Sequence, residues 1–343
     1  MMQEQTVLSR SPGYSLRGAM LASCVAVAAA GFAFDAQAKP VFTTFDPPNS
    51  QDTTVVAIND KGVIAGYYVD QYTGTEGFVR AADGTITTFD PSGDGNMSDS
   101  SISSKGAVAG DFLNQTGSFG FVRYPSGKIT TYNYPGSPQG SVVGVNASGV
   151  VVGAYDGGDY HSHGFVFAKG SYTSFDPPGS GDTIPVCIND AGVIAGTFGD
   201  ANGVHGFVMA PDGTITTWDP PGSTVTSVFG INASGAVTGY YADGSQSPAY
   251  IRAPDGTFTT FLVPDTAGTS AAGINSKGDV TGGYASGSNT HGYVRTANGK
   301  IDSTKIDYPD APDTFPAGIN TKDAVAGTYD GTDDYSHGFL RTR

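Results

Sequence analysis

Four of the five histidines in this 343-residue chain share one context: His163, His205, His291 and His337 each stand directly before Gly-Phe or Gly-Tyr. Histidine moves protons near neutral pH and is a common metal ligand, so four of them at one recurring position raise both chemistries. Spacing argues against a shared metal. Equivalent positions on the third strand of neighbouring four-stranded sheets lie on the order of 10 Å apart, whereas zinc needs its donors at about 2.0–2.1 Å. A repeated structural hydrogen bond is the reading the recurrence favours, and contact with a bound ligand competes with it. His161, two residues before His163, adds a local two-histidine pair.

The acidic residues divide into three sets. The loops YDGGDYHSH (155–163) and YDGTDDYSH (329–337) place Asp156, Asp159, Asp330 and Asp333 among glycines. Such oxygen donors suit Ca²⁺, but no EF-hand pattern is present and Asp-Gly is also ordinary turn chemistry. Calcium is therefore the one cofactor the sequence suggests. A second set, Asp46, Asp90, Asp176 and Asp219, recurs in the phrase F-D-P, with Asn133 and Asp307 in variants, and reads as a loop-holding group. The third set breaks the symmetry: one repeat position reads Asp52, Asn96, Gln139, Asp182, Val225, Gly268 and Asp313 in turn. Asp52, Asp182 and Asp313 there could bind a cation or a sugar. No G-x-S-x-G, H-E-x-x-H or strand-linked GxGxxG is present, and Cys187 reads as an inert small apolar residue.

The elements that must position these groups come from an internal repeat. I-N-x-x-G-x-[VI]-x-G recurs at 58–66, 145–153, 188–196, 231–239 and 274–282, with degenerate copies at 102–110 and 319–327, at steps of 43 to 45 residues. Each copy holds four short strand candidates; in the fourth they are TIPVCIN, GVIAGTF, HGFVMA and GTITTWD. We denote them a to d. Hairpin turns and β-branched alternation argue for strands, and 30 Asp against two Glu (Glu4 and Glu76) argues for turns over helices. Four-strand units of this length, repeated seven times, predict an all-β, seven-bladed β-propeller over 39–343. The repeat register begins with a d strand, VFTTFDPP, and ends with a c strand, HGFLRTR. The N-terminal strand is thus expected to complete the last blade and close the ring. A small residue before each Ile/Val-Asn pair is expected to crowd the axis. An aromatic at Tyr68, Phe112, Tyr155, Phe198, Tyr241, Tyr284 and Tyr329 is expected to pack blade on blade. The d–a and b–c loops share the rim on which the histidines fall, and there a site is expected.

Residues 1–38 read as an export segment: Arg10 and Arg17, an apolar run from Gly18 to Phe34, then Ala36-Gln37-Ala38 with cleavage after Ala38. An uncleaved anchor is the main alternative, and a lipoprotein box at Leu21–Cys24, which would place a lipid on Cys24, is a further competitor disfavoured because almost no apolar stretch precedes it. A secreted or periplasmic protein, with no membrane span in its mature part, follows. The net charge of −15 excludes nucleic acid as a partner. A monomer is expected.

The I-N-x-x-G-x-[VI]-x-G phrase followed by H-G-F-[LV] resembles the bacterial extracellular HAF-repeat family, named for a His-Ala-Phe triplet, although Glu76, Phe119 and Pro248 replace the histidine in three copies. The resemblance implies an exported repeat protein and carries no catalytic residues over. The function expected is a binding or scaffolding module whose ligand, an extracellular glycan, cation or protein, sits on the His- and Asp-bearing rim. The alternative is a polysaccharide lyase or glycosidase acting at the channel mouth.

Overall fold

The computed structural model describes residues 39–343 apart from positions 138 and 305, and without the side chains of 99 and 100. The expected export segment, the cut expected after Ala38 and Cys24 lie outside the described residues. Among those residues every regular element is a strand, and no helix is long and apolar enough to cross a membrane.

The strands form antiparallel meanders of four. β1 (Val41–Phe45) stands first in the chain. One sheet is β2 (Ser50–Ile58), β3 (Ile64–Asp70), β4 (Gly74–Arg80) and β5 (Ile86–Phe89). The next is β6 (Met97–Ile102), β7 (Val108–Asn114), β8 (Gly117–Arg123) and β9 (Ile129–Tyr132), followed by β10 (Gly140–Val145), β11 (Val151–Asp156), β12 (Ser162–Ala168) and β13 (Ser171–Phe175). Then come β14 (Asp182–Ile188), β15 (Ile194–Asp200), β16 (Gly203–Met209) and β17 (Ile215–Trp218), and β18 (Val225–Ile231), β19 (Val237–Ala242), β20 (Ala249–Arg252) and β21 (Phe258–Phe261). A single parallel bridge, Val204 to Val225, merges these last two groups into one sheet. A further sheet is β22 (Thr269–Ile274), β23 (Val280–Ser286), β24 (Asn289–Arg295) and β25 (Ile301–Asp302). The last three strands, β26 (Thr314–Ile319), β27 (Val325–Asp330) and β28 (Ser336–Thr342), take β1 as their fourth, in the order β1-β28-β27-β26. Register runs from Val41 opposite Thr342 to Phe45 opposite Gly338.

The repeat phrase has a physical reason at each fixed residue. Its middle glycine takes a left-handed turn (φ +82° at Gly62, +88° at Gly235). In the degenerate last copy Asp323 adopts the same conformation at φ 62°. The final glycine leaves room for the preceding strand: a Cβ on Gly196 or Gly282 would overlap the carbonyl oxygen of Ile184 or Ser270. The small residue before each Ile/Val-Asn pair follows a β-bulge that recurs in all the first strands, as at Pro185/Cys187 and Ala271/Gly273. There neighbouring first strands nearly touch. A Cβ on Gly273 would meet Gly318 Cα at 3.2 Å, so the small residues serve contact between those strands.

The turn asparagines reach further than their own turns. Asn232 Oδ1 accepts from the backbone amides of Ser234 and Ala236, while its Nδ2 donates to the carbonyl of Asn275, one repeat on, at 3.0 Å. The same link runs Asn146 to Asn189, Asn189 to Asn232, Asn275 to Asn320, Asn59 to Ser103, and from Asn320 back to Asn59 at 3.3 Å. Ser103 accepts such a bond and has no amide to pass it on. Four arginines at the ends of third strands lie over aromatic rings of the preceding sheet, among them Arg252 over Trp218 at 4.6 Å and Arg80 over Phe45 at 5.0 Å. Trp218 is thereby buried and unavailable to a ligand.

Candidate functional site

The four repeated histidines are each held by an aspartate of the F-D-P phrase. Nδ1 of His163 lies 2.8 Å from Asp176, that of His205 2.7 Å from Asp219, that of His291 2.9 Å from Asp307 and that of His337 2.9 Å from Asp46. In three of them the other ring nitrogen is also taken: His163 Nε2 faces Asp159 at 3.3 Å, His205 Nε2 faces Asp200 at 3.0 Å and His337 Nε2 faces Asp333 at 3.2 Å. Such a ring, once protonated, donates from both nitrogens to carboxylates. The aspartates also reach across to the next sheet. Asp176 accepts from Thr183 Oγ1 on β14 and Asp219 from Thr226 Oγ1 on β18. At the join of β28 and β2 the corresponding Thr53 hydroxyl is buried without a partner.

The aromatic two residues past the last repeat glycine packs against the preceding sheet, as expected, with Tyr68 in one cluster with Phe45 and Ala326, Phe112 with Phe89, and Tyr284 with Ala249 and Phe261; it also belongs to the histidine unit. It sits opposite the histidine in its own sheet, with ring centroids 5.4 Å apart for Tyr155–His163, 5.1 Å for Phe198–His205 and 5.3 Å for Tyr329–His337. Stacking between repeats is added only where a tyrosine replaces the phrase's proline: Tyr134 on Tyr155 and Tyr308 on Tyr329. Where the histidine is missing the pair is rebuilt in other chemistry. Tyr68 donates to Glu76, and Phe112 stacks on Phe119. The position is thus a cross-strand fastening.

Hydrogen bonding to Asp176 raises the His163 pKa above its usual value. Burial pulls His205 and His337 down, but their paired aspartates outweigh it and both are raised as well. Asp159 and Asp333 are held below the carboxylate range first by their histidines, and Asp200 first by the Asn202 amide. A histidine raised on folding stabilises fully below its unfolded value of about 6.5, and the contribution is lost as pH climbs through the folded value. The lowered aspartates stabilise above about pH 4 and lose it as pH falls through their folded values. Melting temperature is therefore expected to be highest between about pH 4 and 6.5 and to decline toward pH 8. Scanning calorimetry across that range checks this; replacing His163, His205 and His337 by Gln should flatten the alkaline limb, and an unchanged limb would show that other groups set it.

The remaining predicted site residues are also engaged. Asp52 accepts from the Ser336 amide at 3.0 Å, Asp182 from Ser162 at 2.9 Å and Asp313 from Thr290 at 2.6 Å. Each of these bonds runs from the start of one sheet's first strand to the third strand of the sheet before. Where the position is Asn96, Gln139, Val225 or Gly268, a parallel backbone bridge makes the same join. The expected polar arc is thus a set of seam bonds. Asp182 also has His161 Nδ1 at 3.6 Å, an exposed pair. Asp156 accepts from the Gly158 amide and Asp330 from Ser336 Oγ, both within their own loops. Among the described residues no group of three or more His, Cys, Asp or Glu side chains is placed to hold a metal ion. Burial pushes the Cys187 thiol up to about 12, which leaves it unreactive at neutral pH.

First strands from all the repeats meet around a cavity of about 330 Å³, bordered by Asn59, Ser103, Asn189, Asn232, Asn275 and Gly318 among others. On the d–a and b–c side a second cavity of about 420 Å³ lies among β19, β22, β23 and β26. The exposed large apolar side chains are uneven in distribution. Tyr72, Tyr160 and Tyr335 stand in b–c loops, Leu113 and Val204 beside such loops, and Val225, Ile184, Phe229 and Phe315 on first strands. Among the described residues only Val41 lies elsewhere.

No family model matches the chain, and no curated protein matches it. Solved structures do. Virginiamycin B lyase from Staphylococcus aureus, in a catalytically inactive variant with quinupristin, superposes with TM-score 0.61 at 19% identity over 89% of this chain and 100% of that one. The β-propeller domain of the Trilobed protease from Pyrococcus furiosus, described as having an open velcro topology, gives 0.60 at 11% identity over 84% and 95%. Oligogalacturonate lyase from Vibrio parahaemolyticus gives 0.58 at 12% identity over 89% and 97%. At these identities the likeness is one of fold: the chain is an all-β protein with a β-propeller fold.

Proposed function

We propose that this chain is an exported β-propeller of the HAF-repeat type, with seven blades closed by the N-terminal strand, that works as an extracellular binding module on its d–a/b–c rim. Two sets of contacts support the closed ring. β1 completes the sheet of β26–β28, and the Asn320–Asn59 and Asp52–Ser336 bonds join the last repeat to the first. One observation carries the binding assignment. On this rim the ionisable candidates are tied into fastenings, while aromatic rings stand unpartnered in water: Tyr160 is 98% exposed and Tyr72 78%. Exposed aromatic side chains bind through their faces at low entropic cost, and gathered on one side they mark an interaction surface. Hydrolase or lyase chemistry needs a free base; three of the repeated histidines have both ring nitrogens engaged, which leaves His291, held at Nδ1 by Asp307, as the repeated histidine open to that role.

The test is binding of the chain to arrayed extracellular glycans and surface proteins, compared with a Tyr72→Ser, Tyr160→Ser, Tyr335→Ser triple variant. All three sites are loops, so folding should be unchanged while retention falls about tenfold or more, the scale of losing aromatic anchors. Equal retention by the triple variant would remove the loop tyrosines from the binding surface.

A further inference from the structure

We infer that the cavity over the sixth repeat is a built pocket for one uncharged sugar ring of a glycan, a reading that rests on the binding assignment above and gives its ligand a class. The pocket has a floor of small residues, Gly268, Ala272 and Gly283, with Tyr240 from the fifth repeat and Phe315 and Pro316 from the seventh beside it. Its volume, about 420 Å³, lies in the range of small-molecule sites.

The floor is not a by-product of the fold. Gly282 is required, because a Cβ there would overlap the Ser270 carbonyl; Gly283 beside it is not. A Cβ on Gly283 would meet Thr290 Cγ2 at 3.4 Å, ordinary contact, and its φ is not left-handed. Other repeats put Tyr67, Asp111, Ala154, Thr197, Tyr240 and Thr328 at this position. Gly268 is equally unforced: its Cβ would find Ser247 at 3.6 Å, and Val225 makes the same bridge one repeat earlier. Two glycines that the backbone does not need both open the same space.

The lining chemistry selects the ligand. None of the side chains around the pocket carries a formal charge at neutral pH, within a molecule of net charge −15, which disfavours acidic sugars. Tyr240 offers a ring face, and Phe229 stacks on it at 5.7 Å and 30°, fixing its orientation before a ligand arrives. The hydroxyls of Tyr240, Ser247 and Ser270 have no hydrogen-bond partner within the described residues. Aromatic faces with free hydroxyls and no charge match a pyranose, which is apolar on its faces and hydroxylated at its edge.

The experiment is calorimetric titration of the full chain with neutral hexaoses (β-1,3- and β-1,4-glucan, mannan, xylan, galactan), with hexagalacturonate and with p-cresol. The variants are Gly283→Tyr and Gly268→Val, each importing a residue a sister repeat already carries, and the loop-tyrosine triple. Expected is binding of at least one neutral hexaose, weakened about tenfold or more by either glycine variant, with melting temperature preserved. Should one glycine variant fail to fold, the other decides. A neutral hexaose that binds the glycine variants as well as the parent overturns the pocket and leaves the rim assignment standing. Hexagalacturonate binding as tightly as the best neutral sugar, or p-cresol binding when no hexaose does, overturns the sugar class. A loss confined to the tyrosine triple places the glycan on the loops, against this pocket.

Discussion

Deletion of residues 41–48 abolishes cooperative folding of the chain at 37 °C. β1 supplies five cross-strand pairs to β28, and Phe45 at its end is buried against Val55, Ile64, Tyr68 and Phe78 of the first sheet and Ala326 of the last. Removing a buried phenylalanine costs about 3–5 kcal/mol. The same deletion strips Arg80 of the ring beneath it and His337 of Asp46, leaving the histidine ring one carboxylate partner instead of two. It also exposes the edge of β28. Together these losses reach the order of 5–15 kcal/mol, the total stability of an ordinary domain. Circular dichroism melting of the parent and the deletion variant checks the expectation. A deletion variant that melts within a few degrees of the parent would show that the terminal strand is dispensable, and the closed-ring reading would fall with it.

The period of the chain was fully legible because its causes are local. Left-handed turns, bulges and overlapping carbonyls demand glycine or another small residue at set offsets, and those demands survive in sequence as the repeat phrase. The fastenings were half legible. His163 and Asp176 are 13 residues apart and fall in different phrases, while His337 and Asp46 are 291 apart, so neither phrase announces its partner. A signal does exist in the repeats: each His-Gly-Phe/Tyr is matched by an Asp in the phrase after strand d, whereas Phe119 goes with Asn133 and Pro248 with Leu262. Seam bonds hid for a different reason. Asp52, Asp182 and Asp313 are visible as polar residues at one register position, but their partners belong to the preceding repeat, and only the folded contact shows that Val225 and Gly268 do the same work through the backbone. The sixth-repeat pocket lay in plain sight as Gly283 among six larger sister residues. What the sequence lacks is the knowledge that a side chain would have fitted there.

Asn232→Ala lowers the melting temperature by on the order of 5–15 °C, a large loss for one small side chain. Asn232 is 5% exposed and binds in two directions. Its Oδ1 takes the Ser234 and Ala236 amides and the Ser234 hydroxyl, and its Nδ2 supplies the Asn275 carbonyl. Alanine leaves a buried amide and a buried carbonyl without these partners, at about 1–3 kcal/mol each, and a chain of this size shifts by roughly 2–4 °C per kcal/mol. Ser103 separates the two functions. Its Oγ accepts the Ala107 amide as an asparagine would, yet it sends nothing to Asn146. Asn232→Ser should therefore keep the turn, lose only the link between sheets, and fall about midway between parent and alanine. Ser103→Asn should add the missing donor and raise the melting temperature by a few degrees, matching one net hydrogen bond of about 1 kcal/mol. Calorimetry on the three variants orders them. If serine at 232 is as damaging as alanine, the turn alone sets the stability; if Ser103→Asn destabilises, the Asn146 carbonyl is already satisfied and the chain of amides ends there by design of the turn itself. The expected order, Ser103→Asn above parent above Asn232→Ser above Asn232→Ala, follows only if the links between neighbouring repeats carry free energy of their own.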